Sequence, residues 1–392
     1  MHATKLTFLS VDLSSAENLF DKGHFFSVTF FSLNQIAKHI YFHQLNLLRM
    51  KISFAKYFLE LKHQFTISFS SRKFTPVVLV RLEQNGLFGY GEASLPPYLS
   101  EDQESVISFI SKAKLNDMSS YDDLVFNLES LDQIKYDNTA AKASIDIALH
   151  DLLGKIQNKS CCEFYNLNPV QLLLTSFTIG IDSEEMIKQK IREAQDFKIL
   201  KVKLGTENDK EIINIIRHET DKPLYVDANQ GYSLQDAIKV GKILNDVGAA
   251  FFEQPMDYRD LAKMAYLRKQ TGIPIMLDES IVSPRSVIDA IIADAADYVN
   301  VKLTKSGGMR QALKTLFTAQ AYGIKAMVGC MIESKLGIAA SLAVALSSKN
   351  VIFYDLDGFQ FLKEQPFEAG IEYKNGMNTL TDGKGIACIR KF

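Results

Sequence analysis

The chain of 392 residues has almost no net charge: 44 Lys and Arg stand against 46 Asp and Glu, a formal balance of -2. That leaves no basic surface for nucleic acid and no acidic tail, so no polyanion is expected as a partner. Cysteine is scarce as well. Cys161, Cys162, Cys330 and Cys388 are too few and too irregularly spaced for a disulfide framework, and no CxxC pair suggests zinc. A reducing cytoplasm is the compartment such usage predicts. Apolar residues never run for the ~18 to 20 positions that a membrane helix needs, so no membrane partner is expected either. At this length the chain can bury a large core, and two domains are the first expectation.

Residues 1–49 differ from the rest of the chain. They are rich in Phe, Leu and His without a clear period and lead into a second methionine, Met50. The basic start, apolar stretch and small-residue cleavage site of a signal peptide do not occur in order, so an upstream translation artefact or a poorly ordered extension is expected. From Met50 to about residue 94 three runs alternate apolar and polar, around Phe58, around Phe65 and at VVLVRLEQNGLFGYGEA, where Asn85-Gly86 supplies a hairpin turn. Helical periodicity follows over 103–113 and over 139–157, where Ala140, Ala143, Ile147, Leu149 and Leu152 leave one apolar face. Sheet and helices together predict an α+β domain over 50–165.

From Ser176 the texture becomes a regular alternation of β-rich runs and helices. The strand candidates are FTIGI (177–181), ILKVKL (199–204), PLYVDAN (223–229), AFFEQP (250–255), IPIMLDE (273–279), YVNVKL (298–303), KAMVGC (325–330) and VIFYDLD (351–357). Eight strands with intervening helices suit a closed parallel barrel over 166–360 better than an open sheet. After Phe359 short strand-like pieces return, and residues 361–392 are expected to rejoin the first domain.

Lys203, Asp227, Glu253, Asp278 and Lys302 recur at intervals of 24, 26, 25 and 24 residues, each at the tail of an apolar run. A βα unit with its loops consumes about that much chain, so the five converge at the mouth where the carboxyl ends of barrel strands meet. Asp227, Glu253 and Asp278 then offer three hard oxygen ligands from adjacent strands, a set suited to Mg²⁺. Calcium is less natural, since no dense ligand loop is present. A lone strand-end acid is equally well explained by a salt bridge or a helix cap; three in register are not. Lysines beside a metal serve as proton-transfer groups, because the cation and each other's charge lower an ammonium pKa. Lys203 and Lys302 flank the acid-bearing strands and can reach one substrate carbon from opposite faces. Mg²⁺ on a substrate carboxylate would stabilise the enediolate left when the α-proton departs.

The order KVK, DAN, EQP, DES and NVKLTKSGG resembles the enolase superfamily, and a Lys on both the second and the sixth barrel strand resembles its muconate-lactonising subgroup. The resemblance covers residues 50–392. It implies a (β/α)7β modified TIM barrel with an α+β capping domain built from the N-terminal part and the C-terminal tail. Lys302, where the mandelate racemase branch has its histidine arrangement, disfavours that branch. Within the subgroup, cycloisomerisation, dehydration to o-succinylbenzoate, N-acylamino-acid racemisation and dipeptide epimerisation remain open. FYDLDG places Asp355 and Asp357 at the mouth, where two carboxylates can hold an ammonium group by charge-assisted hydrogen bonds. In this the chain resembles the dipeptide epimerases of the L-Ala-D/L-Glu kind, which implies a small dipeptide, plausibly from murein peptide breakdown, as partner. The same resemblance implies that Thr178 and Cys330 line the pocket, that Lys201 contacts the substrate carboxylate and depresses the pKa of Lys203, and that Arg72, in an apparent loop SFSSRKFTP, meets an acidic side chain. N-acylamino-acid racemase and o-succinylbenzoate synthase are the enzymatic alternatives, and a catalytically silent barrel used for binding is the non-enzymatic one. A homo-oligomer is left open.

Overall fold

Apolar–polar alternation from Lys51 onward produces an antiparallel sheet of β1 (Lys51–Ile67), β2 (Ser70–Gln84) and β3 (Leu87–Ser94). The computed structural model describes residues 50–390 apart from 136, 161–162 and 164–172; residues 1–49 and the pair Cys161 and Cys162 lie outside the described residues. Asn85 and Gly86 both take positive φ, 52° and 77°, as a type I′ hairpin turn demands. The runs around Phe58 and Phe65 form one long strand rather than two, with a register irregularity between Glu60 and Phe65. Arg72 is therefore no loop residue. It lies in β2 opposite Phe65, close to the hairpin turn at 68–69. Ladder hydrogen bonds are made by the backbone, so the polar stretch Ser70–Lys73 pairs despite its loop-like composition.

Three helices of the cap follow among the described residues: α1 (Gln103–Ile110), α2 (Tyr121–Asp132) and α3 (Thr139–Ile156). Asp102 and Ser120 start the first two through capping boxes. The sequence reading leaves α2 unassigned and gives α3 one apolar face, whereas α3 is buried all round from Ala140 to Gly154. Its polar residues have partners on every side. Asp146 accepts from Met309 N at 2.9 Å, and Asp151 accepts from Tyr90 N and Ile386 N, each at 2.9 Å. On the sheet side a Cβ at Gly91 would stand 1.8 Å from Ser144 O, so only glycine lets the helix lie this close.

The barrel comprises β5 (Ser176–Ile179), β6 (Ile199–Lys203), β7 (Leu224–Asp227), β8 (Phe251–Glu253), β9 (Ile275–Leu277), β10 (Tyr298–Val301), β11 (Lys325–Gly329) and β12 (Val351–Asp355), parallel and in sequence order; β4 (Leu173–Leu174) precedes it. The helices between successive strands are α4 (Glu184–Glu193), α5 (Asp209–Glu219), α6 (Leu234–Asp246), α7 (Leu261–Thr271), α8 (Pro284–Ile292), the pair α9 (Leu303–Ser306) and α10 (Met309–Ala321), and α11 (Lys335–Leu346). Ser183, Ser233, Ser283 and Ser334 cap four of them through side-chain hydrogen bonds. The last strand leads to a 3-10 turn, Gly358–Phe361, which makes the barrel (β/α)7β. Between β5 and β12 the ring is closed by side chains: Ser176 Oγ donates to Asp355 Oδ1 (3.0 Å), Thr178 N to Asp357 Oδ2 (2.6 Å), and Leu356 N to Thr175 Oγ1 (2.8 Å).

The tail pairs β13 (Phe367–Ala369) with β16 (Cys388–Arg390), and β14 (Ile371–Lys374) with β15 (Met377–Leu380), which also pairs with β4. Besides Ile386 on Asp151, Asn378 Nδ2 reaches Leu356 O at 2.9 Å, so the tail ties α3 to the end of the barrel. Among the described residues no helix is long and apolar enough to cross a membrane.

Candidate active site

Alternate residues of a strand face the barrel interior. Tyr225, Phe251, Met276 and Met327 pack together there as an apolar floor. Two positions further along β7, β8 and just past β9 come Asp227, Glu253 and Asp278. All three are fully buried, and one carboxylate oxygen from each lies within 4.8 Å of the others. Four lysines surround them. Lys203 Nζ donates to Asp227 Oδ2 (2.6 Å), and Lys302 Nζ to Asp278 Oδ2 (2.8 Å). Lys201 sits deeper, 2.7 Å from Asp355 Oδ2, 2.8 Å from Glu253 Oε2 and 3.1 Å from Asp227 Oδ2. Lys305, buried at the start of the segment after β10, donates to Asp278 Oδ1 and to Asn300 O (3.1 Å). Asn300 in turn donates to Glu253 Oε1 at 2.7 Å. Gly329 makes room for this arrangement: a Cβ there would meet Asn300 Oδ1 at 2.7 Å and Lys302 Cε at 3.0 Å.

The electrostatics divide the group. Burial works against the Asp227 charge, but Lys203 and Lys201 outweigh it and hold the carboxyl at about 2. Asp278 is driven further down, burial again being overcome, here by Lys302 and Lys305. Burial and the neighbouring Asp227 push Glu253 up, against Lys201. Burial also opposes the Lys302 charge, yet Asp278 holds that ammonium well above its usual value. Three crowded hard-oxygen donors, one of them pushed up by its neighbours, fit a divalent cation, which would relieve the repulsion between them.

Thr178, Lys203, Lys302, Cys330, Asp355, Asp357 and Arg72 line one cavity of about 60 Å³ above the acids. Arg72 thus reaches the mouth from β2, and burial lowers its guanidinium pKa to about 10. Burial opposes the Asp355 charge, but Lys201 keeps it low; Asp357 is pushed up to about 7 by burial and by Asp355. Lys201 is not in that lining. Its ammonium lies against three carboxylates, Asp227, Glu253 and Asp355. Lys305, Asn300 and Tyr98 were not singled out in the sequence. The first two stand inside NVKLTKSGG, three residues after and two before Lys302, and that spacing is the available signal. Tyr98 lines the mouth from the loop after β3, where sequence offers none.

A capped (β/α)7β barrel with acids on three consecutive strands and a lysine on either side defines an enolase-type enzyme. The profile described as "Enolase C-terminal domain-like" matches residues 184–388, and that of the "Mandelate racemase / muconate lactonizing enzyme, N-terminal domain" matches 55–164. The chain is 41% identical over 344 residues to the L-Ala-D/L-Glu epimerase of Bacteroides thetaiotaomicron, covering 87% of this chain and 88% of that protein. The dipeptide epimerase of Cytophaga hutchinsonii, solved with Mg and the dipeptide D-Ala-L-Val, superposes with a TM-score of 0.83 at 29% identity, over 88% of this chain and 96% of that one. A substrate-liganded complex of the L-Ala-D/L-Glu epimerase from Bacillus subtilis gives 0.81 at 28%, over 88% and 99%. The chain belongs to the mandelate racemase/muconate lactonizing enzyme family of the enolase superfamily. It is an isomerase of the epimerase and racemase kind.

Proposed function

We propose that this chain is a Mg²⁺-dependent dipeptide epimerase that inverts the α-carbon of the second residue of an L-Ala-initiated dipeptide such as L-Ala-D-Glu, a product of murein peptide breakdown. The observation that carries the reading is the pair Asp355 and Asp357, buried at the end of the mouth cavity. Two carboxylates can hold an ammonium group, whereas an N-acylated substrate offers no cation there. An ammonium arriving beside Asp357 would supply the charge that burial and Asp355 now deny it.

Asp227, Glu253 and Asp278 would hold the cation, which when bound supplies positive charge to the substrate carboxylate as the α-proton leaves. Lys203 and Lys302, on strands to either side of the acids, move the proton at opposite faces of the α-carbon. Asn300 and Lys305 orient Glu253 and Asp278. Lys201 fixes the carboxylates of Asp227, Glu253 and Asp355 beside Lys203. Thr178 and Cys330 flank the peptide, and Arg72 meets an acidic side chain. Cys330 and Cys388 are both buried, and a reducing cytoplasm is the compartment proposed for the chain.

The test is α-deuterium uptake from D₂O with Mg²⁺ present. L-Ala-D-Glu is expected to gain one mass unit and to convert to its epimer, and N-acetylation is expected to slow turnover at least ten-fold. Equal turnover of the acetylated compound would move the assignment to N-acylamino-acid racemisation. Absence of exchange across a dipeptide library would remove the dipeptide reading.

A further inference from the structure

The mouth cavity is small, about 60 Å³. Between the cap and the loops that follow β7 to β10 lies a second cavity of about 760 Å³, well within the roughly 300–1,000 Å³ of small-molecule sites. Tyr98 lines both. Its hydroxyl stands 3.0 Å from Met331 Sδ, which fixes the ring across the gap between cap and barrel.

The larger cavity has apolar walls, Leu128 and Leu131 from the cap and Val282 and Pro284 from the barrel. Its cations are already paired within the protein: Lys142, Arg285, Lys305 and Arg310 each face a carboxylate. Glu279 and Ser306 line it too, 6% and 8% exposed, and Glu279 Oε2 and Ser306 Oγ have no hydrogen-bond partner. Glu279 Oε1 accepts from Asn229 Nδ2 at 3.1 Å, whereas its Oε2 is a buried acceptor without a donor, which is costly, and every cation that lines the cavity is already engaged by a carboxylate.

This rests on the dipeptide reading, in which the substrate's α-carboxylate goes to the cation that the three acids would hold and its ammonium to Asp355 and Asp357. The second residue's side chain is then the part that faces the cap, where Arg72 and Tyr98 stand. We propose that Tyr98 is the specificity-determining partition of this site, and that the cavity behind it would take a long side chain ending in an ammonium or guanidinium, which the Tyr98 ring shuts out. The side chains served in the wild type are then those short enough to stop at Arg72. Glu279 supplies the counter-charge once the partition is gone.

The experiment compares wild type, Tyr98→Phe, Tyr98→Ala and Tyr98→Ala/Glu279→Gln by α-deuterium exchange on L-Ala-L-Glu, L-Ala-L-Lys and the similarly long but uncharged L-Ala-L-Met. Tyr98→Ala is expected to raise the Lys-to-Glu rate ratio at least ten-fold, while Tyr98→Phe leaves it within about two-fold. Adding Glu279→Gln should abolish the gain for Lys and keep the gain for Met. An unmoved Lys-to-Glu ratio in a Tyr98→Ala protein with wild-type circular dichroism and Mg²⁺ binding overturns the proposal, as does a Lys gain that survives Glu279→Gln. Tyr98→Leu replaces Tyr98→Ala should the latter not fold. If wild type exchanges none of the three dipeptides, the dipeptide reading has failed, and calorimetry with n-butylamine decides the cavity separately. Binding to Tyr98→Ala but not to the double variant sustains it, and no binding to Tyr98→Ala overturns it.

Discussion

Asp278 has its two oxygens held by different lysines, Lys302 on Oδ2 and Lys305 on Oδ1, while Glu253 has neutral Asn300 on one oxygen and, on the other, a Lys201 that it shares with Asp227 and Asp355. Glu253 is thus the acid whose charge the protein supports least, and it depends most on a bound cation. Glu253→Gln is expected to weaken Mg²⁺ binding at least ten-fold by titration calorimetry, with the circular dichroism unchanged; undiminished binding would take Glu253 out of the ligand set. For the lysines, a general base contributes roughly 10² to 10⁴ in rate. Lys302→Ala should lose epimerisation by at least that factor and retain deuterium exchange into the one epimer that Lys203 serves, seen by NMR on each pure epimer. Interconversion near the wild-type rate would refute the two-lysine division. The acids and these two lysines were legible in the sequence because strand period and βα interval fix both rank and facing. Lys305, Asn300 and Tyr98 were not, because their roles depend on which side chains from distant parts of the chain arrive beside them, and no local period encodes that.

Helix α3 shows the same limit at the scale of an element. Its sequence alternates Lys142, Asp146, His150 and Asp151 with alanines and leucines, so periodicity suggests a solvated polar face, yet sheet, barrel and tail cover it on every side. Burial of that face is decided by contacts with residues 308–310 and 385–386, far away in sequence. Gly91→Ala probes the closest of these packings, since the new methyl would meet Ser144 O on α3. Overpacking of this kind typically costs about 1–3 kcal/mol, and a shift of the urea midpoint to lower concentration is the expected outcome; an unchanged midpoint would mean that sheet and helix separate without penalty. The barrel strands were read with their order intact because each carries its own β-rich run and turn. The hairpin bearing Arg72 was misread as a loop because its pairing is made by backbone groups that composition does not report.

Across the whole molecule, cap and barrel meet at a buried carboxylate. Glu92 on β3 accepts from Ser334 N at 3.0 Å and from the Ser334 hydroxyl, in the loop that also brings Cys330, Met331 and Ile332 to the mouth. Burial pushes Glu92 from 4.5 up to about 7, and Glu333 beside it likewise to about 7. The folded protein therefore keeps protons that the unfolded chain has released at these two positions, so their contribution to stability is fully present below about 4.5 and is lost as pH rises toward 7. At 1.36 kcal/mol per pKa unit each group accounts for up to about 3 kcal/mol. Glu92→Gln should lessen the decline by up to that amount in denaturant titrations between pH 5 and 8, with Glu333, Glu253 and Asp357 supplying further shares; an unaltered slope would place the pH dependence elsewhere. The seam between β5 and β12 has a different consequence. Asp355 and Asp357, which fasten the first barrel strand to the last, are also the residues proposed to receive the substrate. Remodelling that end of the pocket for another ligand would loosen the ring itself, so selection for new substrates is channelled toward the cap, whose residues can change without unfastening the barrel.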